Sequence, residues 1–319
     1  MWNYIKIRTC KCKSYAREVQ SLKKIIGIIG TLLIAIGLIG CSGNGKEETK
    51  KSSDGKLMVT VSIYPLEQFT KMIGGDKVDI KTLVGPGQEP HDFELKPTQL
   101  KDLTNSTLFI CNGLGMETWL NDVKGQIDNS KTTTIDASKG VKVIKDGDKT
   151  DPHVWLSLKE ATVQADNIKN ALIEKDPSNK QYYEKNYEKL KKEFSDLNNE
   201  YKPKFEKLKN KDFVTGHAAF GYLCREFGLT QKSISDLFAD GEPTPKKLEE
   251  LAAYCKKNKI KTVFSESLAS PKASETLARE AGAKVEKIYT LESLEDNKTY
   301  LEGMKYDLDV IYKCLQEEN

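Results

Sequence analysis

A long charged segment in the middle of the chain limits how the rest of it can fold. Residues 177–210 contain no glycine. Their apolar positions recur every three or four residues, at Tyr183, Tyr187, Leu190, Phe194, Leu197 and Tyr201. This spacing predicts one helix with an apolar stripe, which at 1.5 Å per residue is about 45 Å long. A coiled coil is disfavoured because the pattern stops after about three heptads. The segment is therefore long enough to run along two separate lobes.

Short β-type runs alternate with helical runs on both sides of this segment. Before it, the predicted strands are residues 57–63, 78–84, 107–111 and 132–135; after it, they are residues 213–215, 233–234, 262–264 and 284–288. Such alternation is typical of parallel sheets covered by helices. We predict an α/β fold of two lobes, each a small, mostly parallel sheet between helices. Residues 57–176 form the first lobe, 177–210 a rigid linking helix and 211–319 the second lobe.

The N-terminal region has the layout of a secreted bacterial lipoprotein. Residues 25–40 form an uncharged apolar run behind two lysines, and this run is shorter than the roughly 20 residues of a spanning helix. The segment from Leu38 to Cys41 resembles a lipobox. We therefore predict a signal peptide over residues 1–40, lipidation of Cys41 and a flexible tether over residues 41–56. The protein would be lipid-anchored at the extracytoplasmic face of the cell membrane.

The charge balance argues against a nucleic-acid partner. The leader is basic, whereas residues 41–319 carry 43 basic and 46 acidic side chains. Beyond Cys41, four cysteines remain in the body, and their separations match neither a zinc ribbon nor a redox pair. One or two disulfides are compatible with this compartment, but the sequence does not pair the cysteines.

All three histidines of the chain lie beside predicted strand ends. His91 follows the second strand, His153 lies in the segment from Asp151 to Trp155, and His217 follows the strand at 213–215. Ligands of open α/β sheets bind at the carboxyl ends of the strands. The three imidazoles are therefore candidate ligands of one site.

The segments around these histidines resemble those of the zinc- and manganese-binding lipoproteins of bacterial ABC transporters (cluster A-I), and most closely the zinc branch. The resemblance implies one metal ion bound between two lobes by His91, His153 and His217. It also implies a monomer that works with a metal permease and its ATPase. In the zinc branch the fourth ligand is often a carboxylate after a strand of the second lobe, which nominates Glu266. Other branches use a later acid, for which this chain offers Glu292, Glu295 and Asp296.

The donor set favours Zn²⁺ as the transported ion. Three imidazoles and a carboxylate suit tetrahedral zinc, whereas calcium and magnesium prefer oxygen and manganese prefers more carboxylate. Copper(II) is not excluded on affinity. Manganese or iron transport on the same scaffold, and a role as a surface adhesin, are the alternative functions. A zinc hydrolase or lyase is disfavoured because the chain has no HExxH or GxSxG motif, and we predict that the protein is not an enzyme.

Overall fold

The computed structural model of the protein describes residues 50–239 and 243–318. The predicted signal peptide, the predicted lipidation site Cys41 and most of the predicted tether lie outside these residues. Within the described ranges, no helix combines the length and the apolar character needed to cross a membrane.

The first lobe is built on a parallel four-stranded sheet with the order β2-β1-β3-β4. Its helices are α1, with Pro65 in its first turn, and α2, α3 and α4, the last of which begins directly after its N-cap residue Ser157. A short antiparallel hairpin, β5–β6, precedes α4. The bounds are β1 Leu57–Val61, α1 Tyr64–Gly74, β2 Val78–Thr82, α2 Pro97–Asn105, β3 Leu108–Cys111, α3 Leu120–Asn129, β4 Thr133–Asp136, β5 Lys145–Asp146, β6 Lys149–Thr150 and α4 Leu158–Lys175.

The second lobe repeats this architecture with a parallel sheet of order β10-β9-β7-β8. Helix α7 starts behind Thr244, whose hydroxyl accepts from the Lys247 backbone N–H. Helix α9 starts with a capping box between Thr299 and Glu302. The bounds are β7 Asp212–Thr215, α6 Gly221–Phe227, β8 Thr230–Ser233, α7 Pro245–Asn258, β9 Thr262–Glu266, α8 Lys272–Ala281, β10 Lys284–Ile288 and α9 Tyr300–Glu317. The predicted class of two parallel-sheet lobes is confirmed.

The linking helix α5 spans Lys180–Glu206, inside the predicted range 177–210. Pro177 begins a short 3₁₀ turn that separates α5 from α4. Helix α5 contacts α1 and α4 of the first lobe and α6 and α9 of the second. Its predicted stripe faces inward, with Tyr183, Tyr187, Leu190, Phe194 and Tyr201 buried. The helix is therefore packed against both lobes along its length.

One apolar core joins the first lobe, α5, α9 and part of the second sheet, whereas a smaller core lies between the second sheet, α7 and α8. The four cysteines of the described ranges, Cys111, Cys224, Cys255 and Cys314, are buried free thiols within these layers. The disulfides that the sequence left open are therefore not formed among these residues.

Candidate metal centre

Four loops bring their side chains together between the lobes. His91 lies in the segment after β2, and His153 precedes the short turn that leads into α4. His217 follows β7, and Glu292 follows β10. Within the described residues, these four form the group of His, Cys, Asp and Glu side chains whose candidate ligand atoms all lie within 4.8 Å of one another.

The candidate ligand atoms of this group lie close enough together to bind one metal ion. The Nε2 atoms of His91 and His153 are 3.1 Å apart, and Oε1 of Glu292 lies 3.3 Å from Nε2 of His153 and 3.8 Å from Nε2 of His91. The ring centroid of His217 lies 4.9 Å from that of His153 and 5.4 Å from that of His91. Donor atoms held at about 2.0–2.1 Å from a tetrahedral zinc ion are about 3.3 Å apart. The spacing therefore fits a small four-coordinate cation.

The group is withdrawn from solvent and contains a buried, ionised carboxylate. His153 and Glu292 are fully buried, and the His217 residue is 5% exposed. Within the part of the chain that the structure describes, neither carboxylate oxygen of Glu292 has a hydrogen-bond partner, although Oε1 lies 3.3 Å from Nε2 of His153. Burial by itself would raise the pKa of Glu292, but the neighbouring imidazoles, first His153, lower it to about 2. Buried carboxylates are usually paired with a cation or bound to a metal, so these oxygens are available as metal ligands.

His153 is oriented by an acid two residues earlier in the chain. Oδ1 of Asp151 lies 2.8 Å from Nδ1 of His153 and accepts from its backbone N–H at 2.9 Å. This contact places the ring proton on Nδ1 and directs Nε2 into the group. Burial acts to lower the pKa of His153, but Asp151 and Glu292 raise it to about 9. Sequence reasoning missed this role of Asp151, although the short spacing in Asp151-Pro152-His153 was a signal.

His217 is held by two contacts with the second lobe. Its Nε2 lies 2.9 Å from the Leu237 carbonyl oxygen, so this nitrogen donates and Nδ1 keeps the free lone pair. Its backbone N–H donates to Oε1 of Glu266 at 2.9 Å. Burial lowers the pKa of His217, as it lowers that of His91 to about 4. Both rings are therefore neutral near pH 7, which is the form that binds metals.

The structure brings the three predicted histidines together with Glu292 and not with Glu266. The Glu266 carboxylate is buried at the end of β9 and faces the backbone of the Gly216–His217 turn. Of the later acids, Glu295 accepts from the Leu291 backbone N–H, and Asp296 is exposed and accepts from Lys287 and the Tyr289 hydroxyl. Glu292, which the sequence offers as an alternative to the nominated Glu266, is therefore the acid that lies with the three imidazoles.

Comparison with known proteins agrees with this arrangement. The family model of zinc-uptake complex component A, periplasmic (ZnuA), matches residues 59–314. The high-affinity zinc uptake system protein ZnuA of Bacillus subtilis (strain 168) is 34% identical over 309 residues, which cover 90% of this chain and 97% of that protein. The zinc-binding lipoprotein AdcA of Streptococcus pneumoniae (strain R6) is 33% identical over 315 residues, which cover 92% of this chain and 62% of that longer protein.

A solved structure shares the fold over nearly its whole length. It is the laminin-binding protein Lmb of Streptococcus agalactiae, described as a bifunctional protein with adhesin and metal-transporting activity. It has 35% sequence identity and a TM-score of 0.77, and the match covers 82% of this chain and 99% of that one.

Proposed function

Because the chain belongs to the family of periplasmic zinc-uptake complex component A proteins, we propose that it binds one Zn²⁺ ion through His91, His153, His217 and Glu292. The protein is the extracytoplasmic zinc-binding component of an ABC transporter. Members of this family work with a permease and an ATPase and are transport components, not enzymes. The zinc ion is cargo, so the site must release it as well as hold it.

One observation carries the ligand assignment: a fully buried carboxylate with no hydrogen bond faces three converging imidazoles. Carboxylate oxygens that are buried without a hydrogen bond are costly, even beside a charged imidazole. A divalent ion would satisfy the carboxylate and the imidazole lone pairs together. Because three of the four donors are nitrogen, the site favours zinc over manganese, which prefers more oxygen donors.

We also propose a domain organisation for the mature protein. Cleavage before Cys41 would leave a lipidated N-terminus, a tether over residues 41–56 and a first lobe over residues 57–176. The linking helix over residues 177–210 and the second lobe over residues 211–319 would complete a monomer. The lipid anchor would keep the zinc-binding body at the extracytoplasmic membrane surface, next to its permease.

The test is metal analysis of residues 42–319, prepared metal-free and reloaded. We expect one zinc per chain, bound more tightly than manganese in competition with a chromogenic chelator. Stoichiometric manganese with weak zinc binding would point to the manganese alternative. The absence of a tight equivalent of either metal would contradict the proposed site.

A further inference from the structure

The side chain of Trp155 contacts one candidate metal ligand and the backbone segment that carries another. Its ring packs edge-on against the His153 ring, with the centroids 5.4 Å apart. Its indole N–H donates to the Thr290 carbonyl oxygen at 2.8 Å. Thr290 lies two residues before Glu292 in the segment that follows β10. One side chain of the first lobe therefore contacts both a ligand of its own lobe and the backbone that carries a ligand of the other.

Trp155 is itself fixed in place. It is fully buried, and its carbonyl oxygen accepts from the Tyr300 hydroxyl. Tyr300 lies in the first turn of α9, and its ring packs against Phe69 of α1 and Phe194 of α5, with centroid distances of 4.8 and 5.6 Å. The Trp155 backbone is therefore attached to an aromatic cluster that connects both lobes with the linking helix.

The backbone around Glu292 needs such support because its path is unusual. Leu291 has a φ of +57°, a left-handed conformation that non-glycine residues rarely adopt. The Leu291 side chain occupies the space that a Cβ atom at Gly303 would fill, since that Cβ would lie 2.3 Å from Cδ2 of Leu291. A strained conformation of this kind persists only where surrounding contacts hold it.

Further hydrogen bonds attach the same segment to the first lobe. The Tyr64 backbone N–H donates to the Glu292 carbonyl oxygen at 3.3 Å. The Ser293 hydroxyl donates to the Gly85 carbonyl oxygen at 3.1 Å and accepts from the Gly87 backbone N–H at 2.7 Å. The hydrogen bond from Trp155 differs from these, because the Trp155 side chain also contacts the candidate ligand His153.

Building on the proposed ligand set, we propose that Trp155 is a positioning residue that holds the Glu292 carboxylate against Nε2 of His153. The indole N–H fixes the Thr290 carbonyl, and the left-handed turn at Leu291 then directs Glu292 toward the histidines. Without this donor, the ring would still fill its space, but the backbone at Thr290 would lose its hydrogen bond and Glu292 would shift against His153, while the bonds at Glu292 and Ser293 kept the segment attached to the first lobe. A metal ligand displaced by a fraction of an ångström loses coordination geometry before the fold is affected.

The experiment compares variants of the full chain, purified in detergent. Trp155→Phe keeps an aromatic ring and removes the donor. Tyr300→Phe is the matched control, because it removes a hydrogen bond to Trp155 but leaves the indole N–H in place. For each protein we would measure the zinc dissociation constant, the melting temperature of the metal-free form and the visible spectrum of the Co²⁺-substituted site.

We expect Trp155→Phe to weaken zinc binding by about 10–100-fold, the range found for residues that orient metal ligands. Its Co²⁺ spectrum should shift toward that of Glu292→Gln, because the carboxylate would leave the coordination sphere. Tyr300→Phe should change both much less. Unchanged zinc affinity and an unchanged Co²⁺ spectrum in Trp155→Phe would overturn the proposal.

A second replacement separates positioning from packing if phenylalanine destabilises the fold. Tryptophan is replaced throughout the chain by β-(3-benzothienyl)alanine, which has the same ring shape but sulfur in place of the N–H. A Trp119→Phe background leaves Trp155 as the one tryptophan after Cys41, so the replacement acts on Trp155 in the mature protein. Weakened zinc binding in this isostere supports positioning, and wild-type binding shows that Trp155 acts by packing alone. If wild-type protein binds no zinc, the proposed function itself fails, and the two failures are thereby distinguished.

Discussion

Nε2 of His153 lies 3.3 Å from Oε1 of Glu292, with His153 supplied by the first lobe and Glu292 by the second. Both residues of this pair are buried. Asp151 orients the His153 ring, and Trp155 holds the backbone two residues before Glu292. The candidate site is therefore assembled across the lobe boundary. A cation that binds the pair would connect the two lobes directly.

The fourth ligand can be identified by comparing two isosteric changes. Glu292→Gln removes the charge that faces the imidazoles and should weaken zinc binding by more than about 100-fold, beyond the range for changes that act indirectly. Glu266→Gln keeps an oxygen that can accept from the His217 backbone N–H, so zinc binding should change little. Chelator competition measures both affinities.

The reverse result would restore the assignment that the sequence favours. If Glu266→Gln weakened zinc binding strongly and Glu292→Gln did not, Glu266 would be the ligand. Asp296→Asn serves as the matched surface control, because Asp296 is exposed and bonded to Lys287 and the Tyr289 hydroxyl.

The metal-free protein should lose thermal stability as the pH rises from about 6.5 to 9. Asp151 and Glu292 raise the pKa of His153 to about 9, above the roughly 6.5 of an unfolded histidine. The stability that the protonated His153 ring contributes is therefore fully present below a pH of about 6.5. It is lost as the pH rises through 9. Burial raises the pKa of Glu295 to about 8, so its ionisation destabilises the fold over an overlapping range. Melting curves of the metal-free chain at a series of pH values measure the effect.

Asp151→Asn is the control for this pH dependence, since it removes one of the two charges that raise the His153 pKa. The variant should show a smaller fall in melting temperature over the same range. A melting temperature of the metal-free protein that increases toward pH 9 would contradict the prediction. Zinc binding itself should weaken at low pH, because protons compete for the imidazole lone pairs.

The sequence was sufficient to place the three histidines but not the carboxylate. Each histidine has a local signal, because it lies beside a strand or helix end in a recognisable segment. Glu266 and Glu292 both come after strands, β9 and β10, that are neighbours in one parallel sheet. The choice between them depends on the left-handed turn at Leu291 and on the backbone N–H that Glu266 accepts from His217, neither of which has a local sequence pattern.

Secondary structure was predictable where the apolar pattern was strong. The linking helix and most strands of both sheets lie within a few residues of their predicted ranges. The edge strand β8 was expected at residues 233–234 but spans Thr230–Ser233, because its half-exposed side chains give no apolar run. Helices α3 and α4 were not predicted. For α4 a signal existed, since the N-cap Ser157 precedes buried residues at helical spacing, namely Ala161, Ala165, Ile168 and Leu172.

Cys41→Ala should abolish acylation and release the protein from the membrane fraction. The prediction depends on the apolar run that ends at Gly40 directly before the cysteine. Two or more acyl chains give stable anchoring, whereas the polar tether has no apolar surface of its own. Cell fractionation and mass spectrometry of the N-terminal peptide measure the outcome. Cys111→Ala is the matched control, because this buried thiol should not affect localisation. A Cys41→Ala protein that stays acylated would exclude the lipobox.

Zinc should stabilise the protein strongly while changing its overall shape little. A ligand that binds only the folded state contributes about 4 kcal/mol at a thousandfold excess over its dissociation constant, so the melting temperature should rise clearly. The lobes are nevertheless restrained by α5, where Phe194 packs against Phe69 of α1 and Tyr300 of α9, each with ring centroids 5.6 Å apart. Such close-packed contacts resist the large hinge motion that a few flexible strands would allow.

The expected zinc response is therefore local ordering of the ligand loops, in particular residues 87–92 and 215–217. Small-angle scattering with and without zinc should give nearly superimposable curves, whereas hydrogen exchange should slow in those two segments. His217→Ala is the control, because it should lose most of the zinc-dependent rise in melting temperature and leave the metal-free scattering unchanged. A large closure on zinc binding, comparable to that of sugar-binding periplasmic proteins, would show that α5 does not restrain the lobes. Under the restrained arrangement, we expect release to require the permease to move the ligand loops of the two lobes apart, or protons to displace the ion.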